Sequence, residues 1–158
     1  MFYNPVKVIR SNSWIEECKN AQREIGINNP ILLTSKGNKK RLNLSSIFDT
    51  NSIISDINPD PTFDSCNKVL STISKLKFDG IIAIGGGSVM DTAKVVMSYM
   101  GTKKNNIMEL LSFKGSYNNF PSIFIPTTHG TGSEVTMWGT IWNMREKKKY
   151  SISNKSLY

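Results

Sequence analysis

The chain has 158 residues, a length typical of one domain and long enough to bury a hydrophobic core. Hydrophobic residues make up 39% and charged residues 20%, and no apolar run approaches the roughly 20 residues that span a bilayer. The composition therefore favours a soluble globular protein, with no membrane segment and no signal peptide. Two isolated cysteines, Cys18 and Cys66, form no disulfide framework and no metal motif, which favours a reducing cytoplasm.

The formal net charge is +8, from 20 basic and 12 acidic residues. The lysines are scattered along the chain, and no basic helix or aromatic-basic RNA motif accompanies them. They are therefore interpreted first as a solvated surface and second as a field that attracts anionic ligands. Nucleic acid is not an expected partner.

The predicted elements alternate between strand and helix. Helices are expected from Trp14 to about Gly26, shortly after Gly37, over Phe63–Leu76 behind a Thr62 cap, and over Asp91–Met100. Strands are expected at Val6–Ile9, Pro30–Thr34, Ser52–Ser55, Ile81–Ile84 and Ser122–Pro126, with further extended segments at Met137–Met144 and Lys149–Ser153. This alternation predicts an α/β fold, with a Rossmann-like, mostly parallel sheet flanked by helices in a single domain over residues 1–158.

A glycine-rich loop follows the most apolar of these strands. Gly85, Gly86, Gly87 and Ser88 come directly after Ile81–Ile84, and a helix follows them. Backbone without Cβ atoms admits close approach, and N–H groups at a helix N-terminus bind anions. The loop is typical of a phosphate site, although a merely tight turn between strand and helix would use the same glycines. Asp91 is interpreted as a helix cap or as an acceptor for a ribose hydroxyl.

A second loop, Pro126–Thr136, follows the apolar strand Ser122–Pro126. Carboxyl ends of parallel strands meet at one edge of a sheet, where open α/β sheets bind ligands, so the two loops are expected to lie together. The second loop is rich in hydroxyl groups, which suit ribose, pyrophosphate or a carboxamide better than acid–base chemistry; they belong to Thr127, Thr128, Thr131, Ser133 and Thr136.

Together, G-G-G-S-V-M-D-T-A-K (residues 85–94) and P-T-T-H-G-T-G-S-E-V-T (residues 126–136) resemble the two dinucleotide loops of the iron-containing (group III) alcohol dehydrogenase family. Asn58-Pro59 followed by Thr62 resembles that family's N-P-x-x-T turn. The resemblance covers the whole chain in order, but only the N-terminal half of the family. It implies that the family's C-terminal helical metal domain is absent from this chain.

The resemblance also implies a set of cofactor contacts. The pyrophosphate and a neighbouring ribose would be held by Gly86, Gly87, Ser88 and Asp91. The adenosine and nicotinamide path would be lined by Thr127, Thr128, Thr131 and Thr136, with further contacts from Lys149 and Asn58.

Position 35 departs from the family pattern, because NAD-preferring members carry Asp where this chain has Ser35. An Asp there accepts from the ribose 2′-OH and repels a 2′-phosphate. Ser35 removes that repulsion, and Lys36, Lys39 and Lys40 supply cations nearby. The expected cofactor is therefore NADP or NAD, with a preference for NADP or mixed use.

The metal site is the second departure. The family's Fe or Zn is held by one Asp and three His, whereas His129 is the only histidine of this sequence. His129 is interpreted as a loop residue near the ligands, and Asp56, Asp60 and Asp64 as turn residues. No catalytic and no metal-binding residue is therefore assigned to this chain.

The resemblance implies hydride transfer between NAD(P) and a small alcohol or aldehyde. The segment around Trp138 and Trp142, with Lys147–Lys149, resembles the phosphonoacetaldehyde reductase branch, although two packed tryptophans would give the same pattern. Two alternatives remain open, a nucleotide-binding or interaction module without catalysis and a lyase similar to dehydroquinate synthase. Self-association into a homo-oligomer is a further expectation.

Overall fold

The computed structural model describes residues 4–104, 106–115 and 117–158. Five α-helices lie within these residues: α1 (Trp14–Glu24), α2 (Lys36–Arg41), α3 (Phe63–Ile73), α4 (Gly87–Thr102) and α5 (Ile107–Ser112). The six strands of the described residues are β1 (Pro30–Thr34), β2 (Ile53–Ile54), β3 (Gly80–Gly85), β4 (Ser122–Pro126), β5 (Trp138–Asn143) and β6 (Lys148–Ser153).

Four strands form a parallel sheet in the order β2-β1-β3-β4, and β5 and β6 form a separate antiparallel hairpin. The predicted α/β class, with a mostly parallel sheet flanked by helices, is confirmed. The two central strands, β1 and β3, are buried along almost their whole length, as expected for strands covered on both faces.

Side chains of the central strands alternate between two cores. Ile31 and Leu33 of β1 join the larger cluster, with α3, α4 and the hairpin. Leu32 points to the opposite face, into a smaller cluster with Cys18 and Leu44. The alternation follows from the period of two along a strand, and it fixes the register of the sheet.

The prediction of a strand at Val6–Ile9 is wrong. These residues have no regular structure, and Val8 and Ile9 are 62% and 44% exposed. β-rich composition alone does not make a strand, because the segment pairs with neither edge of the sheet.

The remaining differences from the sequence prediction are shifted boundaries and one additional helix, α5. The strand expected at Ser52–Ser55 is limited to Ile53–Ile54. The helix expected at Asp91–Met100 begins four residues earlier, at Gly87, and α5 was not predicted. No helix in the described part of the chain combines the length and apolar character needed to cross a membrane.

Candidate functional site

The two glycine-containing loops lie side by side at the carboxyl edge of the sheet. Gly85 at the end of β3 is in register with Pro126 at the end of β4, and Thr127 donates its N–H to the Gly85 carbonyl at 2.9 Å. The sequence prediction that both loops share this edge is confirmed. The shared edge is where parallel α/β sheets bind their ligands.

The loops approach each other so closely that side chains at the glycine positions have no room. A Cβ placed on Gly86 would lie 2.8 Å from the Thr128 hydroxyl oxygen. One on Gly87 would lie 3.1 Å and 3.2 Å from the Thr131 methyl and hydroxyl groups. Thr128 and Thr131 are themselves exposed, so the contact forms a cradle of bare backbone and hydroxyl groups open to solvent.

Helix α4 starts inside the glycine loop, and no side chain caps it. Its N-cap residue, Gly86, has no side chain to offer, and the first turn contains no acidic residue. By contrast, Ser35, Thr62 and Asn106 cap α2, α3 and α5 through side-chain oxygens. The uncapped N–H groups of a 16-residue helix, together with its dipole, favour an anion at this position.

Ser88 lies in the first turn of α4 with its hydroxyl oriented by a neighbouring turn. Its Oγ accepts the backbone N–H of Asp60 at 3.1 Å. Because that bond uses a lone pair, the hydroxyl proton stays available to an anion oxygen. Asn58, on the same turn as Asp60, is exposed. The structure thus joins Ser88 to the turn that carries Asn58, through the Asp60 backbone.

Asp91 does not cap α4, contrary to one of the two sequence interpretations, because the helix begins at Gly87. Its carboxylate Oδ1 accepts the Ser133 hydroxyl at 2.8 Å. Burial raises the pKa of Asp91, while the Ser133 bond and the nearby Lys94 ammonium oppose that rise. Asp91 therefore links α4 to the second loop. Its Oδ1 atom already accepts one hydrogen bond, from Ser133.

Asn38 is a site residue that the sequence analysis missed. It is buried in α2, and its amide donates to the Thr127 hydroxyl at 3.3 Å and to the Ile84 carbonyl at 3.5 Å. Arg41 in turn donates to the Asn38 side-chain oxygen. The start of the second loop is thereby attached to α2, a contact between residues 89 positions apart that no local pattern signals.

Thr136 and Lys94 meet at the other end of the second loop. The Thr136 hydroxyl accepts from the Lys94 ammonium at 3.0 Å and lies 3.3 Å from the Ser133 carbonyl, to which it donates. Lys94 was given no role from sequence. It is fully buried, and burial lowers its pKa to about 8 against the opposing charges of Asp91 and Glu134.

Ser35 lies at the carboxyl end of β1, on the same edge as the loops. Its hydroxyl caps α2 by accepting from the Asn38 N–H at 3.2 Å. Asp56 faces it across an isolated antiparallel bridge and pairs with Lys36 at 2.5 Å. The Lys36 hydrogen bond and charge lower the pKa of the Asp56 carboxyl. A carboxylate therefore lies near Ser35 although position 35 itself carries none.

Lys149 joins the site indirectly, through the hairpin. Its ammonium lies 4.6 Å from the ring centre of Trp142, the residue paired with it across β5 and β6. Trp142 donates its backbone N–H to Pro61 at 2.8 Å. This end of the hairpin therefore packs against the turn whose Asp60 contacts Ser88.

The described residues do not fit a metal site. No group of three or more His, Cys, Asp or Glu side chains in that part of the chain is placed to hold a metal ion. His129 is exposed in the second loop, and one imidazole cannot supply a site rich in histidine. The chemistry available from these loops is thus anion binding and hydroxyl hydrogen bonding.

A separate apolar groove of about 450 Å³ lies along β4, between the N-terminal segment and α1. It is lined by Val6, Val8, Cys18 and Phe124, among others. It takes in Pro126, Glu134 and Val135 of the second loop but none of the glycine-loop residues.

Fold and site together define a Rossmann-like α/β domain with a cradle of bare backbone and hydroxyl groups at the carboxyl edge of its sheet. The family model for iron-containing alcohol dehydrogenases matches residues 5–158. The chain therefore belongs to the iron-containing alcohol dehydrogenase family.

Proteins similar to this chain in sequence or in structure are consistent with this family. The aldehyde-alcohol dehydrogenase of Streptococcus pneumoniae is 36% identical over 118 residues, which is 66% of this chain and 13% of that protein. The sulfoacetaldehyde reductase of Bifidobacterium kashiwanohense, solved in complex with NAD+, superposes with a TM-score of 0.84 at 25% sequence identity. The superposition covers 100% of this chain and 44% of the reductase chain. The fold also matches that of the NADH-dependent butanol dehydrogenase A of Thermotoga maritima, with a TM-score of 0.84 at 24% sequence identity. This match covers 100% of the present chain and 42% of the dehydrogenase chain. The chain thus spans less than half the length of each of these relatives.

Proposed function

We propose that the chain is the NAD(P)-binding domain of a metal-dependent alcohol dehydrogenase or aldehyde reductase. Such an enzyme transfers hydride between the nicotinamide and a small alcohol or aldehyde. The observation that carries the proposal is the uncapped N-terminus of α4, placed against the hydroxyl-rich second loop at the carboxyl edge of the sheet. Membership of the family and the NAD+ complex of the bifidobacterial relative support it.

The predicted cofactor residues have distinct roles in this proposal. The pyrophosphate would lie on Gly86, Gly87 and Ser88, where backbone N–H groups and a free hydroxyl proton converge. Thr127, Thr128, Thr131 and Thr136 would line the path of the nucleoside groups. Asp91 would contribute mainly by holding the second loop, since its carboxylate is bonded to Ser133. The bound nicotinamide supplies the hydride chemistry, and the protein binds and orients it.

We infer mixed use of NADP and NAD from the surroundings of Ser35. A serine does not repel a 2′-phosphate, and Lys39 and Lys40 lie nearby in α2. Lys36 is partly neutralised by Asp56, and Asp56 also offers a carboxylate for a ribose hydroxyl. These opposing charges support a smaller NADP preference than the sequence alone suggests.

The small alcohol or aldehyde substrate is proposed to be anionic, with phosphonoacetaldehyde as the specific candidate. The bifidobacterial relative, a sulfoacetaldehyde reductase, supports an aldehyde of this charge. Trp138 is 47% exposed, and Lys149 covers Trp142. These groups, with the net charge of +8, would attract such a substrate.

A cytoplasmic location and self-association complete the proposal. Cys18 and Cys66 are free and buried, which suits a reducing compartment. Exposed apolar side chains, including Val8, Met108 and Met144, supply surface for contacts between copies.

The second candidate, a binding module without catalysis, is favoured by one observation: the described residues hold no group suited to a metal. The two candidates make the same prediction for dinucleotide binding by this chain, and they differ in whether a protein that also carries the metal site turns over an alcohol or aldehyde. We expect the 158-residue chain to bind dinucleotide weakly and to show no appreciable turnover.

The test is calorimetric titration of the chain with NAD+ and NADP+ in parallel, followed by an assay of alcohol oxidation with and without added Fe²⁺ or Zn²⁺. Binding of either cofactor supports the proposal, and binding of neither overturns it. A strong preference for NAD+ overturns only the inference from Ser35. Metal-dependent turnover by the chain alone would contradict the expected lack of activity.

A further inference from the structure

The buried Lys94 ammonium is enclosed by oxygen atoms of the second loop and of the first residue of β5. Its Nζ lies 2.6 Å from the carbonyl oxygens of Ser133 and Thr136, 2.8 Å from that of Trp138 and 3.0 Å from the Thr136 hydroxyl. An ammonium has three N–H donors, so four acceptors more than satisfy it. Each contact joins α4 to a segment 39 to 44 residues later in the chain.

The hairpin is shaped to permit this approach. A Cβ on Gly139 would lie 3.1 Å from both the Asp91 carbonyl and the Lys94 Cβ. Glycine at the second position of β5 therefore lets the strand lie directly on α4. One turn earlier on α4, Asp91 accepts from the Ser133 hydroxyl, so Ser133 is held through both its side chain and its carbonyl.

The second loop is attached to the rest of the domain at both ends, and its middle is exposed. At its start, Thr127 is bonded to Gly85 and to Asn38. At its end, Ser133–Trp138 surrounds Lys94. The intervening residues Thr128–Thr131 are exposed, and Gly130 and Gly132 have φ of +111° and +60°, which lets the chain arch over the glycine loop.

We propose that Lys94 is a positioning residue for the cofactor site: its ammonium holds the end of the second loop on α4 and so sets the distance of Thr128 and Thr131 from Gly86 and Gly87. It touches no cofactor itself. The inference rests on the proposed function, because it assigns these two loops to dinucleotide binding. The inference has one distinctive consequence. Dinucleotide affinity should depend on an ammonium among these four oxygen atoms, which we call the oxygen cage, and a neutral side chain of similar size should not replace it.

The experiment compares dinucleotide affinity of the wild-type chain with three variants, each checked for folding by circular dichroism and thermal unfolding. Lys94→Ala removes the side chain beyond Cβ and leaves a cavity that n-propylammonium can fill, matching the missing carbons and nitrogen. Lys94→Met fills the same space without charge. Lys68→Met removes one positive charge from an exposed position of α3.

We expect Lys94→Ala and Lys94→Met to raise the Kd at least about tenfold and Lys68→Met to leave it within about twofold of the wild type. Millimolar n-propylammonium should restore most of the affinity of Lys94→Ala but not of Lys94→Met, whereas tetramethylammonium at equal ionic strength should restore neither. Wild-type affinity in a folded Lys94→Met variant would overturn the inference, as would a defect in Lys94→Ala that n-propylammonium fails to reverse. If the wild type itself binds no dinucleotide, the proposed function fails instead.

Discussion

At the scale of single residues, the space above Gly86 decides how near the two loops can lie. Gly86 has φ of −87° and ψ of −172°, which alanine adopts without strain. The constraint is steric, since an added Cβ would lie 2.8 Å from the Thr128 hydroxyl oxygen. An alanine at position 86 therefore changes the spacing of the two loops without straining the backbone. An alanine at a glycine with positive φ would change both at once.

We predict that Gly86→Ala weakens dinucleotide binding about tenfold or more, because the methyl group pushes Thr128 away and occupies space over the helix N-terminus. The free energy of unfolding should fall by no more than about 1–2 kcal/mol, since Thr128 is an exposed side chain that can rotate. Calorimetry and urea unfolding measure the two effects.

Adding Thr128→Ala provides the control for this prediction. The nearest remaining atom would be the Cβ at position 128, 3.7 Å away, an ordinary contact. The double variant should therefore regain stability while binding remains weak, because the methyl group still covers the anion position. Wild-type affinity in Gly86→Ala alone would show that the cradle is not the binding site.

At the scale of elements, the turn Asn58–Thr62 connects α3, the hairpin and the glycine loop. Thr62 and Ser65 form a reciprocal capping box, in which the Ser65 N–H lies 3.1 Å from the Thr62 hydroxyl and the Thr62 N–H lies 2.8 Å from the Ser65 hydroxyl. Beside it, Pro61 accepts from Trp142 and Asp60 donates to Ser88. The cap predicted from sequence thus also positions the turn that orients Ser88.

We predict that Thr62→Ala lowers the free energy of unfolding by about 1 kcal/mol, because one N–H group of the first turn loses its side-chain acceptor. Thr62→Ser keeps the hydroxyl and should lie within about 0.5 kcal/mol of the wild type. Urea unfolding measures both. Equal losses in the two variants would mean that the methyl group, and not the cap, carries the effect.

Elements formed by interactions between residues close in sequence could be predicted, whereas features that depend on contacts distant in sequence could not. The apolar runs Pro30–Thr34 and Ser122–Pro126 form strands with the predicted bounds, because a short apolar run bounded by turn residues is a local signal. Val6–Ile9 has similar composition but no pairing partner, and pairing is not a local property. Lys94 was overlooked for the same reason, since a lysine on a helix is normally solvated until another element, here the hairpin, covers it.

At the scale of the whole molecule, burying one ammonium makes stability depend on pH. Lys94 has a pKa of about 8 in the folded protein, compared with an ordinary value of 10.5. Between these values the unfolded chain binds more protons than the folded one, so the free energy of unfolding rises with pH across this interval. Below pH 8 the cost of burying the charge is fully present. The carboxylates of Asp91 and Glu134 reduce that cost without removing it.

We therefore predict that the free energy of unfolding of the wild type, relative to Lys94→Met, increases by up to about 3 kcal/mol between pH 8 and pH 10.5. Taking the difference between variants cancels the tyrosines and cysteines, which titrate in both. Lys94→Arg serves as the matched control, because its guanidinium stays charged throughout this interval and should show no such increase relative to Lys94→Met. Urea unfolding at a series of pH values makes the measurement. A flat difference for the wild type would mean that the oxygen cage of the second loop compensates for burial and keeps the Lys94 pKa near its ordinary value.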